Sequence, residues 1–120
     1  MELYNASHRN LNTHDGALEH LANHLNIIGL DRRKIAWVVK EPSIFKKGTM
    51  SNEQACDLVV GYNQPYRHVD LIELKHGTEM RGKAKHQMQN TENHLTDHWM
   101  YPVENKYLVV YPSFEYEVFP

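Results

Sequence analysis

Asp57, Glu73 and Lys75 are the residues whose types and spacing could do chemistry together in this 120-residue chain. Two carboxylates and an ammonium gathered at one place can hold a hard divalent cation and act on the water beside it, which is the equipment for hydrolysing a phosphodiester. A cation such as Mg²⁺ or Mn²⁺ is served by one or two carboxylates, with waters and substrate phosphate oxygens completing its shell. Asp57 and Glu73, with the Leu74 carbonyl, would supply the protein's share. Lys75 would orient or help deprotonate the attacking water, given a pKa lowered by the cation's charge and partial burial, and would stabilise charge growing at phosphorus. A surface Glu-x-Lys is common and is usually just a solvated strand face. Asp57 sets this one apart, because it opens an apolar run where an unpaired carboxylate is costly.

Strand parity is what would bring the three together. Residues Gln54 to Tyr62 and His68 to Lys75 are short runs rich in Val, Ile and Leu, and each reads as a strand. Asn63-Gln64-Pro65 between them favours an antiparallel hairpin. Side chains two apart on a strand share a face, so Glu73 and Lys75 point one way while Asp70, Ile72 and Leu74 point the other. Asp70 is therefore no substitute for Glu73. Antiparallel pairing would lay Asp57, at the start of the first strand, beside the end of the second.

The remaining elements follow from periodicity. Leu18, Leu21, Leu25 and Ile28 recur at helical spacing, Asp15 can cap the start, and Gly29 ends the segment. Lys34 to Lys40 reads as a strand stopped by Glu41-Pro42, and residues 43 to 53 as a polar loop. After Gly77, residues Glu79 to about His98 read as a helix with Met80, Ala84, Met88, Thr91 and Leu95 on one stripe. Lys106 to Tyr111 reads as a buried strand, and Phe114 to Phe119 as a further edge or dimer element. The fold class expected is α/β, a mixed sheet flanked by helices in the order α-β-β-β-α-β.

With those elements in place, Asp57 followed sixteen positions later by Glu73-Leu74-Lys75 resembles the PD-(D/E)XK, or restriction-endonuclease-like, nuclease superfamily. Within it, the small archaeal-type Holliday junction resolvases look closest, and the resemblance spans roughly residues 15 to 112. Gly16-Ala17-Leu18-Glu19 is similar to the Gly and Glu of that subfamily's first helix, one residue shorter than its usual spacing, and Ser43 is a weak match to its loop Ser. The resemblance implies a metal-dependent DNA endonuclease in which Glu19 assists the metal site and Gln87 matches the polar residue that reaches toward the catalytic Lys. Cys56 stands where the family has Pro before its first acidic residue.

Charge bears on the substrate. The formal net charge is −2, unlike a resolvase that grips a large junction. Yet residues 30 to 85 hold eleven basic and seven acidic side chains, so positive potential gathers around the proposed site, where it would attract a phosphate backbone. Lys46, Lys47, Arg81, Lys83 and Lys85 are the expected nucleic-acid contacts, although a solvated charged face is the plain alternative for each. DNA is the expected partner, with RNA left open. A symmetric pair would serve cleavage of two strands, so a homodimer is expected, with aromatic residues between Tyr107 and Phe119 either burying its interface or completing the monomer's core. The competing readings are a structure-selective junction resolvase and a non-catalytic nucleic-acid-binding module that keeps the fold without turnover.

Composition narrows the class. At 120 residues and 41% hydrophobic there is one modest core and one domain. No apolar run approaches the roughly 20 residues of a membrane span, and the polar amino terminus does not read as a signal peptide. A single cysteine, Cys56, forms no internal disulfide, so a reducing cytoplasm is expected, that of a host cell if the chain is virus-encoded. His20 and His24, and again His94 and His98, are four apart, but neither pair carries the adjacent Glu or the cysteine partners of a zinc site. P-loop, dinucleotide-binding and serine-elbow motifs do not occur.

Overall fold

A computed structural model describes residues 10–40, 56–77, 81–94 and 101–119, with the side chains of residues 81–84, 87 and 94 outside that description. Ser43, Lys46, Lys47, Met80 and Leu95, and the side chains of Arg81, Lys83, Ala84 and Gln87, accordingly lie outside the described residues.

Helix α1 (His14–Asn23) starts one residue before the expected cap. Thr13, not Asp15, closes it: the Thr13 hydroxyl accepts from the Gly16 N–H at 3.1 Å and donates to the Asn10 carbonyl at 3.0 Å. Asp15 lies in the first turn, where its charge suits the helix dipole. The turn is tight enough that a Cβ on Gly16 would stand 1.9 Å from the Asn10 oxygen, so only glycine fits. The helix ends earlier than its apolar spacing suggests, because His24 leaves the helical region and a 3₁₀ turn covers Leu25–Ile28 before Gly29 takes the left-handed conformation at φ 84°. Leu18, Leu21, Leu25 and Ile28 are nonetheless all buried. Their spacing reported a shared face correctly and the helix type incorrectly.

Five strands follow: β1 (Trp37–Lys40), β2 (Leu58–Tyr62), β3 (His68–His76), β4 (Val103–Tyr111) and β5 (Glu115–Phe119), with helix α2 (Arg81–His94) between β3 and β4. The sheet is mixed and its spatial order is its chain order, β1-β2-β3-β4-β5. Only β3 and β4 run parallel, as they must when a helix carries the chain back over the sheet. The fold is thus α/β around a mixed five-stranded sheet. Three strands differ from expectation by more than a residue, β2 among them, since it starts at Leu58 with Cys56 and Asp57 outside it. β1 is shorter, because residues Arg32–Lys34 form a 3₁₀ turn capped by the Asp31 carboxylate on the Arg33 N–H. β4 begins at Val103, three residues early, where the Asp70 carboxylate accepts from the Asn105 N–H beside a register shift between Val69 and Asp70.

Each face of the sheet carries its own core. Ala17, Leu18, Leu21, Leu25 and Ile28 pack on Leu58, Val60, Ile72, Leu74 and Val109. Met88 covers Cys56, Val59, Val69 and Leu71 on the opposite face, with Trp37, Tyr101 and Phe119 at the margins. Ile72 and Leu74 thus point to the α1 face and Leu71 to the α2 face, which places Glu73 and Lys75 on the α2 face by alternation. Among the described residues no helix is long and apolar enough to cross a membrane.

Trp37 lies directly over Gly61 on the neighbouring strand, and a Cβ there would sit 2.1 Å from the indole. Gly61→Ala is expected to destabilise by roughly 1–3 kcal/mol, the usual consequence of overpacking a core contact. A urea midpoint equal to wild type would show that the indole moves aside freely.

Candidate functional site

The site forms at the β2 start and the β3 end. Antiparallel pairing sets Leu58 opposite Ile72, so Asp57, one residue earlier, reaches the last turn of β3, and its N–H donates to the Ile72 carbonyl at 3.1 Å. Its side chain turns the same way: Asp57 Oδ2 accepts from the Leu74 N–H at 2.7 Å. An extended residue exposes its N–H and C=O on the same side, so the Leu74 carbonyl also faces Asp57.

Glu73 is the unusual group. Only 1% of the residue is exposed, Lys75 Nζ lies 3.1 Å from its Oε2, and its buried Oε1 has no hydrogen-bond partner among the described residues. Asp57 stands so close that the two carboxyls would share a hydrogen bond if one carried a proton. Burial, and then the charge on Asp57, push the Glu73 carboxyl up to about 8, against the opposing pull of Lys75. A buried acceptor with no donor is costly, and two carboxylates held this close repel each other when both are charged. A divalent cation would relieve both defects, so the residues present fit one. Asp57 and Glu73 with the Leu74 carbonyl match the modest protein share that Mg²⁺ takes.

His14 completes the cluster and was not singled out by sequence reasoning. It is the first residue of α1, and its Nε2 lies 3.0 Å from Asp57 Oδ1. The hydrogen bond to Asp57 raises its pKa, against the opposing effect of burial. Its ring meets Tyr111 edge-on at 6.0 Å, and Tyr111 meets His76 at 5.2 Å, so an aromatic wall flanks the carboxylates on the α1 side. Nothing in local spacing flagged His14; the one available signal was its place just before a helix expected to contribute to the site.

Glu19, expected to assist the metal site, has a described partner on β1. It forms an ion pair with Lys40 of β1, and among the described residues no group of three or more His, Cys, Asp or Glu side chains is spaced to hold one metal ion. Five residues turn Glu19 roughly 140° around α1 from His14. Asp70 points away from Glu73, as parity requires, and is a structural clamp: buried, it accepts from the Tyr62 hydroxyl at 2.8 Å and from Asn105.

Of the expected nucleic-acid contacts, Lys85 is described. It is exposed, with its ammonium 5.0 Å above the Phe119 ring, at a cavity of about 190 Å³ lined also by Met88, Gln89 and Lys106. His20 and His24 stack on each other at 4.4 Å. Tyr107 and Tyr111 belong to the α1-side core, whereas Tyr116 stands 46% exposed on the edge strand.

Compared with protein-family models, curated proteins and solved structures, the chain matches none.

Proposed function

We propose that this protein is a metal-dependent deoxyribonuclease of the restriction-endonuclease-like kind, hydrolysing DNA phosphodiester bonds with Mg²⁺ or Mn²⁺. The observation that supports it most is the buried Glu73 carboxylate, with one oxygen unpartnered among the described residues, beside Asp57 and within ion-pair distance of Lys75. A core carboxylate kept this way costs stability, and such groups cluster at functional sites.

In this reading Asp57, Glu73 and the Leu74 carbonyl hold the cation, which would polarise the phosphoryl oxygen and activate a water. Lys75, partly exposed next to Glu73, orients that water and balances charge as the bond to the leaving oxygen breaks. Gln87 and the basic residues Lys46, Lys47, Arg81, Lys83 and Lys85 are the proposed contacts to the DNA backbone, and Lys85 is exposed. Junction resolution is the finer alternative for the substrate. Ile27, Tyr116 and Val118 are exposed apolar side chains, the latter two on edge strand β5, and these would seat a second copy in the proposed homodimer.

A substrate panel tests this: linear duplex, single-stranded, nicked, flap and four-way junction DNA, and RNA, each with Mg²⁺ or Mn²⁺ and again with EDTA. Cleavage of at least one DNA member, stopped by EDTA, is expected. If every DNA survives at saturating metal, or if EDTA leaves cutting untouched, the nuclease reading fails, and retained DNA binding would then favour a non-catalytic module.

A further inference from the structure

Helix α1 reaches the carboxylates through a residue at its very start. Its position is tightly built: Thr13 caps the helix on the Gly16 N–H, the Thr13 hydroxyl and N–H both point to the Asn10 carbonyl, and Gly16 leaves room for that carbonyl where any Cβ would collide. Ala17, Leu18 and Leu21, just beyond, are buried against the sheet. The first helical side chain, His14, is therefore delivered to one place, with its Nε2 at Asp57 Oδ1 and its ring against Tyr111.

Asp57 is held from two directions. The Leu74 amide takes Oδ2 from β3, and the imidazole takes Oδ1 from α1. Each carboxylate oxygen accepts more than one bond, so both protein contacts leave lone pairs for a further partner. What they remove is freedom: a carboxylate gripped at both oxygens cannot rotate away from Glu73, whose own Oε1 has no donor among the described residues.

We propose that His14 is a positioning residue, the group by which α1 orients Asp57 so that it and Glu73 meet one divalent cation. The role rests on the nuclease reading only for the reaction that the cation serves; the orientation itself is measured by metal binding alone. It also gives α1 a direct part in the site through its first residue. Hydrogen-bonding partners of metal ligands typically change metal affinity or activity by about 10- to 100-fold when removed.

The experiment is a titration with Mn²⁺ followed by electron paramagnetic resonance, on the full chain, for wild type, His14→Ala and His14→Gln. DNA cleavage is measured on the same preparations, and thermal unfolding in EDTA confirms the fold. His14→Ala is expected to bind Mn²⁺ about 10-fold or more weakly with an unfolding midpoint near that of wild type. His14→Gln, whose amide can donate over a similar reach, is expected to recover much of the affinity, which a role in packing against Tyr111 alone would not predict. Gly16→Ala, displacing the helix start with the histidine intact, is expected to weaken Mn²⁺ binding in the same direction. Equal or tighter binding by His14→Ala overturns the proposal. So does equal loss in Ala and Gln variants, or a wild-type chain that binds no Mn²⁺. A wild-type chain that binds Mn²⁺ in a His14-dependent way yet cuts no DNA overturns the nuclease reading and leaves the His14 assignment standing.

Discussion

Lys75→Ala protein, assayed at saturating Mg²⁺ on the preferred DNA of the panel, is expected to cleave about 100- to 10,000-fold more slowly than wild type, the usual loss when a group acting on the attacking water is removed. The fold is expected to survive. Lys75 is partly exposed near the end of β3, and truncating it leaves the core clusters untouched. Glu73 would lose the ammonium 3.1 Å away and hold a proton more tightly, so single turnovers at saturating Mn²⁺ separate weaker metal binding from slower chemistry. Lys75→Arg refines the test, because arginine keeps the charge but does not give up a proton near neutrality. Substantial activity in the Arg variant would assign Lys75 an electrostatic task, and none would assign it a proton. Wild-type cleavage rates in Lys75→Ala would remove Lys75 from the mechanism.

The second large effect is on stability and its pH dependence. The Glu73 carboxyl titrates at about 8 in the folded chain against 4.5 when unperturbed. Between those values the folded state holds a proton that the unfolded state has released, so raising the pH through that window destabilises the fold. Asp70, raised above 3.8 by burial, acts in the same sense. His14 does too: raised above 6.5, its contribution is present below that value and fades as the pH climbs through the folded one. Metal-free protein in EDTA is therefore expected to be less stable at pH 8 than at pH 5 by an amount on the order of a few kcal/mol, since each pKa unit corresponds to about 1.4 kcal/mol. Glu73→Gln, the same shape without the charge, is expected to flatten most of that slope and to be the more stable protein at pH 8. Adding Mg²⁺ at pH 8 should stabilise wild type by mass action and leave Glu73→Gln nearly unchanged. Urea midpoints of the two proteins across the pH range decide it. Parallel curves in EDTA would mean that Glu73 is not strained in the way its burial indicates.

The convergence of Asp57, Glu73 and Lys75 was legible because it depends on two local rules, the alternation of a strand and the fold-back of a hairpin, and both act within twenty residues. The apolar face of α1 was legible for the same reason. What escaped the sequence depends on packing between distant segments. Glu19 and His14 lie on one helix, and which of them meets Asp57 is decided by how that helix rotates on the sheet. Thr13 and Asp15 are both good caps, and the choice fell to Thr13 because Asn10 turns back to meet it. The early start of β4 needed the Asp70 clamp, thirty-five residues away, to hold Asn105 in register.

His14 enters from one side of the sheet, Glu73 and Lys75 lie on the other, and Asp57 joins them at the edge. The hairpin alone gathers the trio, but the complete constellation needs the amino-terminal helix docked as well, so cation affinity would serve as a reporter of complete assembly. Warming that loosens α1 would weaken the hold on the cation while the five strands stayed paired, and loss of affinity would run ahead of loss of structure.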